Sequence, residues 1–212
     1  ALVGLGRLLR AKGRTEEAIE VLRATDTNDI EGALELGLAY RDFGLPDAAI
    51  EALSRVVALV PTDPRPHRPL VELIGKTPGD ARLGGVLARA SEVLGDDLEL
   101  QRQYAAWALD HKRPDEAIVA CQRALAIKPT SSEANFGLGS AQVATGKLDE
   151  ARETLSILEP LDAPKAAELR RAIEAAAPAL TVTKPAATHA KASKTKASTK
   201  KRKRARRGGK RR

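Results

Sequence analysis

The chain has 212 residues, 30% of them charged and only 2% aromatic, with a formal net charge of +8 and a single cysteine. One cysteine excludes an internal disulfide, no apolar run approaches the ~18 residues of a membrane span, and Arg7 and Arg10 interrupt the opening apolar stretch too early for a signal peptide. The missing span and signal peptide lead to the expectation of an intracellular, cytoplasmic protein, and the dominance of leucine and alanine with only short β-branched runs predicts an all-α one. No methionine is present, which is expected of either a processed start or the end portion of a longer chain, and the lack of a polar cap before the first unit favours the second expectation.

A fixed beat organises the sequence. Ala18, Ala49, Leu83, Ala117 and Ala151 recur at steps of 31, 34, 34 and 34 residues. The pairs Leu5-Gly6, Leu36-Gly37 and Leu138-Gly139 are each followed seven residues after the glycine by Gly13, Gly44 and Gly146. This period predicts units over residues 1–29, 30–63, 64–97, 98–131 and 132–162, the first with a shortened connecting turn. Residues 30–63 read most clearly. Ala33, Leu34, Leu36, Ala39, Tyr40 and Phe43 form one apolar helix face ending at Gly44, and Pro46-Asp47 opens a second helix that runs toward Pro61. Gly37 and Ala49 are expected to be the small residues where the two helices cross. In residues 64–97, Pro64, Pro66 and Pro69 crowd the first helix, which is expected to be short and to start near Pro66 or Pro69. Leu83 replaces the small crossing residue there. Residues 98–131 replace Leu-Gly by Tyr104-Ala105, and Cys121 falls among Ile118, Ala124 and Leu125 as a packed structural thiol. Residues 163–180 read as a helix capping the last unit.

The Leu36-Gly37, Tyr40, Gly44, Ala49 and Pro61 positions make residues 30–63 resemble the tetratricopeptide repeat (TPR) family, a helix-turn-helix unit of 34 residues. The resemblance implies an α-solenoid of about five such units over residues 1–162, to which the residue pattern adds a capping helix over 163–180 and the composition a disordered basic tail over 181–212. It also implies a ligand groove walled by the first helices. Its candidate residues are Arg7, Arg10, Glu31, Leu34, Leu38, Arg41, Arg65, Arg68, Glu72, Glu99, Arg102, Ala106, Glu133, Phe136 and Ser140. Family members that grip the acidic C-termini of heat-shock chaperones use lysine and asparagine at set inner places. Here the asparagine places hold Leu38, Glu35, Gln103 and Gly137, so that clamp is not expected.

Residues 181–212 carry 14 Lys and Arg and no acid, which leaves 22 basic against 28 acidic residues, or −6, for residues 1–180. Low hydrophobicity and high charge predict that the tail does not fold alone. Its densest cluster, Lys200, Lys201, Arg202, Lys203, Arg204, Arg206 and Arg207, is the candidate anion-binding site. Three readings remain open: a non-specific contact to nucleic acid, a sorting address or anionic membrane surface, and a self-contact with the acidic stack. The tail has no aromatic residue to stack on bases. Ser193, Thr195, Ser198 and Thr199 are candidate phosphorylation sites that would lower its charge.

No residues assemble a catalytic, cofactor or metal motif. His67, His111 and His189 are scattered, and Asp110-His111 falls in a helix-helix turn. Gly146-Lys147 lacks the first glycine and the hydroxyl of a phosphate loop, having Ala141 and Leu148 instead. The acid pairs Glu16-Glu17, Asp115-Glu116 and Asp149-Glu150 all open second helices, where they offset the positive helix end. The expected function is a non-enzymatic scaffold holding a peptide or helix in the groove, with the tail engaging an anionic partner. The alternative is a nucleic-acid-associated protein whose stack dimerises or positions the tail.

Overall fold

The structure, a computed structural model, describes residues 1–26 and 28–182, with the side chains of the last helix described as far as residue 177. The readings that concern the basic tail beyond residue 182, including the Lys200 to Arg207 cluster, lie outside the described residues.

Eleven α-helices and no strand form the described residues. They are α1 (Leu2–Ala11), α2 (Thr15–Arg23), α3 (Ile30–Phe43), α4 (Pro46–Leu59), α5 (His67–Gly75), α6 (Leu83–Val93), α7 (Leu98–Asp110), α8 (Pro114–Ile127), α9 (Ser132–Ala144), α10 (Leu148–Leu158) and α11 (Ala163–Val182). Each helix packs on the next, and a second row of contacts joins α1 to α3, α7 to α9 and α9 to α11. The molecule is an all-α solenoid of helical hairpins closed by α11. The short α5 makes no comparable approach to α3 or α7.

Local chemistry sets the helix ends. Asp29, Asp97 and Ser131 cap α3, α7 and α9, accepting from the backbone N–H of Gly32 at 3.2 Å, Leu100 at 3.1 Å and Ala134 at 3.3 Å. Such caps are worth about 1 kcal/mol each. With Asp63 they form a second 34-residue series that the apolar pattern alone does not reveal. Gly44 ends α3 in the left-handed region at φ 86°, and Pro46 and Pro114 open α4 and α8.

The beat residues Ala18, Ala49, Ala117 and Ala151 are all fully buried. Gly37 meets the second helix at Leu53, one turn beyond the expected crossing at Ala49: a Cβ on Gly37 would sit 2.7 Å from Leu53 Cγ. The fourth hairpin repeats this contact with altered partners. Ala105 stands at the place of Gly37 and Cys121 at that of Leu53, so one helix gains a methyl where the other loses volume.

The third hairpin is irregular for a definable reason. One 34-residue step from Ile30 and Pro46 would start its helices at residues 64 and 80, but both start three residues later. In place of each missing turn stands an Asp-x-Arg loop. Asp63 accepts from the Arg65 N–H at 2.9 Å and from its guanidinium at 2.7 Å, and Asp80 does the same with Arg82 at 2.9 and 2.7 Å. The arginine holds the Asp80 carboxyl down at about 2. Val71, at the place of Gly37, faces the hairpin core with Leu87 also buried, so α5 and α6 lack the close glycine crossing of α3 and α4. His67 opens α5 at 1% exposure with no partner for Nε2, and burial pushes its imidazole below the usual range. Gly84 of α6 receives Trp107 of α7, whose ring would lie 2.1 Å from a Cβ at that glycine.

Candidate functional site

The wall formed by the first helices divides into two unlike halves. At its N-terminal end the charged candidates satisfy one another. Arg7 donates to Glu35 at 2.6 Å and Glu31 at 3.0 Å, and Arg10 donates to Glu35 at 3.2 Å and Asp42 at 3.0 Å. Glu35 is only 4% exposed between these two arginines, and its carboxylate, with Glu31 adding to it, raises Arg7 above the usual guanidinium range. Glu31 also accepts from Arg65 at 2.5 Å, so a single carboxylate joins α1, α3 and the loop before α5. Arg41 turns to Asp42 at 2.8 Å, and Arg68 pairs with the α7 cap Asp97. Leu34 is 3% exposed and belongs to the core, a correction to its place among the groove candidates. It shares one buried apolar cluster with Leu53 of α4 and Leu70 and Ile74 of α5. Leu38 is half-buried against the same core, and Glu72 stands exposed on α5.

At the C-terminal end a pocket of about 420 Å³ opens between α7, α8 and α9. Its floor is apolar, built from Ala105, Ala106, Leu109, Cys121, Ala124, Ala134, Phe136 and Gly137. Glu99, Arg102, Gln103, Asp110 and Glu133 complete its lining. The structure thus brings together Glu99, Arg102, Ala106, Glu133 and Phe136 from the candidates, and leaves Ser140 outside this lining. Arg102 donates to Glu99 at 3.3 Å while its buried Nε–H has no acceptor among the described residues. The Glu133 carboxyl lies below its usual range, first through its own backbone N–H and further through the positive charge of Arg102 and Lys165. Burial pushes the Cys121 thiol up to about 12, so it sits in the floor as a neutral, packed group.

Asp110 and His111 do not act as a pair here. His111 stacks on Trp107 at 4.3 Å and places Nδ1 2.8 Å from the Trp107 carbonyl, while Asp110 lines the pocket. Sequence reasoning missed Leu109, Asp110 and Gly137 as pocket residues. Their signal was available in the repeat register, where each stands at the place of a charged residue elsewhere in the chain.

Two family models described as tetratricopeptide repeat match residues 108–176 and residues 1–29. No curated protein matches significantly. Among solved structures, a crystal structure of MamA protein is 26% identical with a TM-score of 0.55, over 78% of this chain and 92% of that one. A second MamA crystal structure is 27% identical with a TM-score of 0.52, over 78% and 94%. The crystal structure of YrrB, described as a TPR protein with an unusual peptide-binding site, is 16% identical with a TM-score of 0.57, over 80% and 90%, a likeness of fold alone.

Proposed function

Because the chain is a tetratricopeptide-repeat protein, we propose that this protein-interaction scaffold, itself non-enzymatic, holds an extended peptide or a helix of a partner along the wall of α1, α3, α5, α7 and α9. In the same proposal residues 183–212 bring that partner to an anionic surface in the cytoplasm. The observation that carries the groove reading is the apolar-floored pocket between α7 and α9, of a size within the ~300–1,000 Å³ common for ligand sites. YrrB, with its unusual peptide-binding site, gives a precedent on this fold. A photo-cross-linking residue at Leu38 or Ala106 should capture the partner, whereas one at the exposed Arg152 on α10 should not; capture only from Arg152 would defeat the groove reading.

The excess of 14 Lys and Arg over no acid in residues 181–212 favours a second reading, in which the tail holds nucleic acid non-specifically. If about 8 of these charges engage a duplex, affinity should fall by roughly a thousandfold or more between 50 and 200 mM salt. Ending the chain at Val182 should then abolish retention on DNA or RNA and leave partner capture intact. Loss of capture with the tail would refute the scaffold reading, and an absence of duplex binding at low salt would refute this second one.

A further inference from the structure

The two ends of the wall hold the same three places in opposite chemistry. Arg7 follows the crossing Gly6 by one residue and Arg10 by four; in the fourth hairpin those places after Ala105 are Ala106 and Leu109. Glu35 precedes Gly37 by two residues, and the same place before Gly139 is Gly137. The α1/α3 notch is therefore filled by two arginines closed onto a buried carboxylate. The α7/α9 notch has none of the three charged side chains, with Ala106, Leu109 and Gly137 in their places, and Cys121 in place of a leucine lowers its floor further. The pocket is thus a vacated charged contact.

What remains is apolar below and acidic above. Three carboxylates, Glu99, Asp110 and Glu133, line the pocket against the single cation Arg102. Asp110 and Glu133 form no ion pair among the described residues. An acidic partner would meet like charge there, and a purely apolar one would leave the rim unpaired. Resting on the peptide-groove reading, we propose that the α7/α9 pocket takes one bulky apolar side chain of a partner segment that carries Lys or Arg on both sides of it. The anchor excludes water from the floor, and the flanking cations pair with the rim acids.

The test uses the full chain and fluorescein-labelled probe peptides. Lys-Arg-Ala-Trp-Ala-Arg-Lys should bind about tenfold or more tightly than the same peptide with a central alanine. It should also exceed Glu-Asp-Ala-Trp-Ala-Asp-Glu. Ala106→Arg, which restores at this exposed place the residue type that Arg7 provides in the first hairpin, should weaken the tryptophan peptide by at least about tenfold without changing the helical signal. Glu133→Lys, which leaves two acids against two cations in the lining, should abolish the preference between basic and acidic probes. Equal binding of tryptophan and alanine probes, or indifference to Ala106→Arg, overturns the pocket assignment even where cross-links from Leu38 still uphold the groove. Binding that emerges only when the chain ends at Val182 makes the basic tail the occupant and overturns the choice of a partner segment. Absence of binding by every probe also overturns the proposal.

Discussion

Lys112 holds φ at +56°, at the turn where Gly13, Gly44 and Gly146 stand in other hairpins at 76°, 86° and 75°. An L-residue there carries a Cβ clash of about 1–2 kcal/mol, partly offset by its smaller entropy loss on folding. Lys112→Gly should raise the unfolding free energy by about 0.5–1 kcal/mol, read from urea denaturation; a decrease would show that Lys112 makes compensating contacts. His67 sets a different residue-scale expectation. Burial lowers its pKa, opposed by the Pro61 backbone and Asp63 and assisted by the nearby charge of Arg89. The unfolded chain therefore takes up the proton first as pH falls below about 6.5, and stability should decline between there and the lower folded pKa, with no contribution above it. His67→Gln should flatten the melting temperature between pH 7 and 5. An equal acid dependence in both proteins would assign the effect to other groups.

At the scale of the element, the pair Ala105 and Cys121 replaces the Gly37 and Leu53 contact of α3 with α4. Restoring only one partner either overfills the crossing or empties it. Cys121→Leu alone should cost about 1–3 kcal/mol, and adding Ala105→Gly should recover part of it, giving a favourable coupling of at least ~0.5 kcal/mol in a double-mutant cycle. Strict additivity would mean that the two side chains do not share one space. The bounds of α3 and α4 were legible because Gly44 and Pro46 act through their own backbones. The late starts of α5 and α6 were legible only in part. Prolines marked the first, whereas the Asp63-Arg65 and Asp80-Arg82 loops depend on side-chain hydrogen bonds that apolar periodicity does not register. The groove positions could be counted from the repeat, but not whether each faced a neighbour or water. Leu34 fell into the core, Glu35 became a buried ion-pair hub, and Gly137 mattered through the side chain it lacks.

For the whole molecule the third hairpin is the weak link in a quasi-linear array. Its helices have 9 and 11 residues against 14 in both α3 and α4, neither has a side-chain cap among the described residues, and α5 packs less closely on the neighbouring first helices than α1 on α3 or α7 on α9. Such regions open locally with less free energy than the rest. Hydrogen exchange followed by mass spectrometry should show amides of α5 and α6 protected at least about tenfold less than those of α3 and α4. Uniform protection across all four helices would mean that Trp107 seated on Gly84 splices the two halves into one cooperative body.

Glu31 has a mechanical consequence beyond its electrostatics. Exposed pairs of this kind contribute only about 0–1 kcal/mol each, but this carboxylate is gripped from both sides by arginines of the flanking hairpins. It acts as a tie rod across three successive hairpins, fixing the pitch of the first half of the coil. Among the described residues no such rod crosses the notch between α7 and α9, so a segment seated there would stiffen the spring.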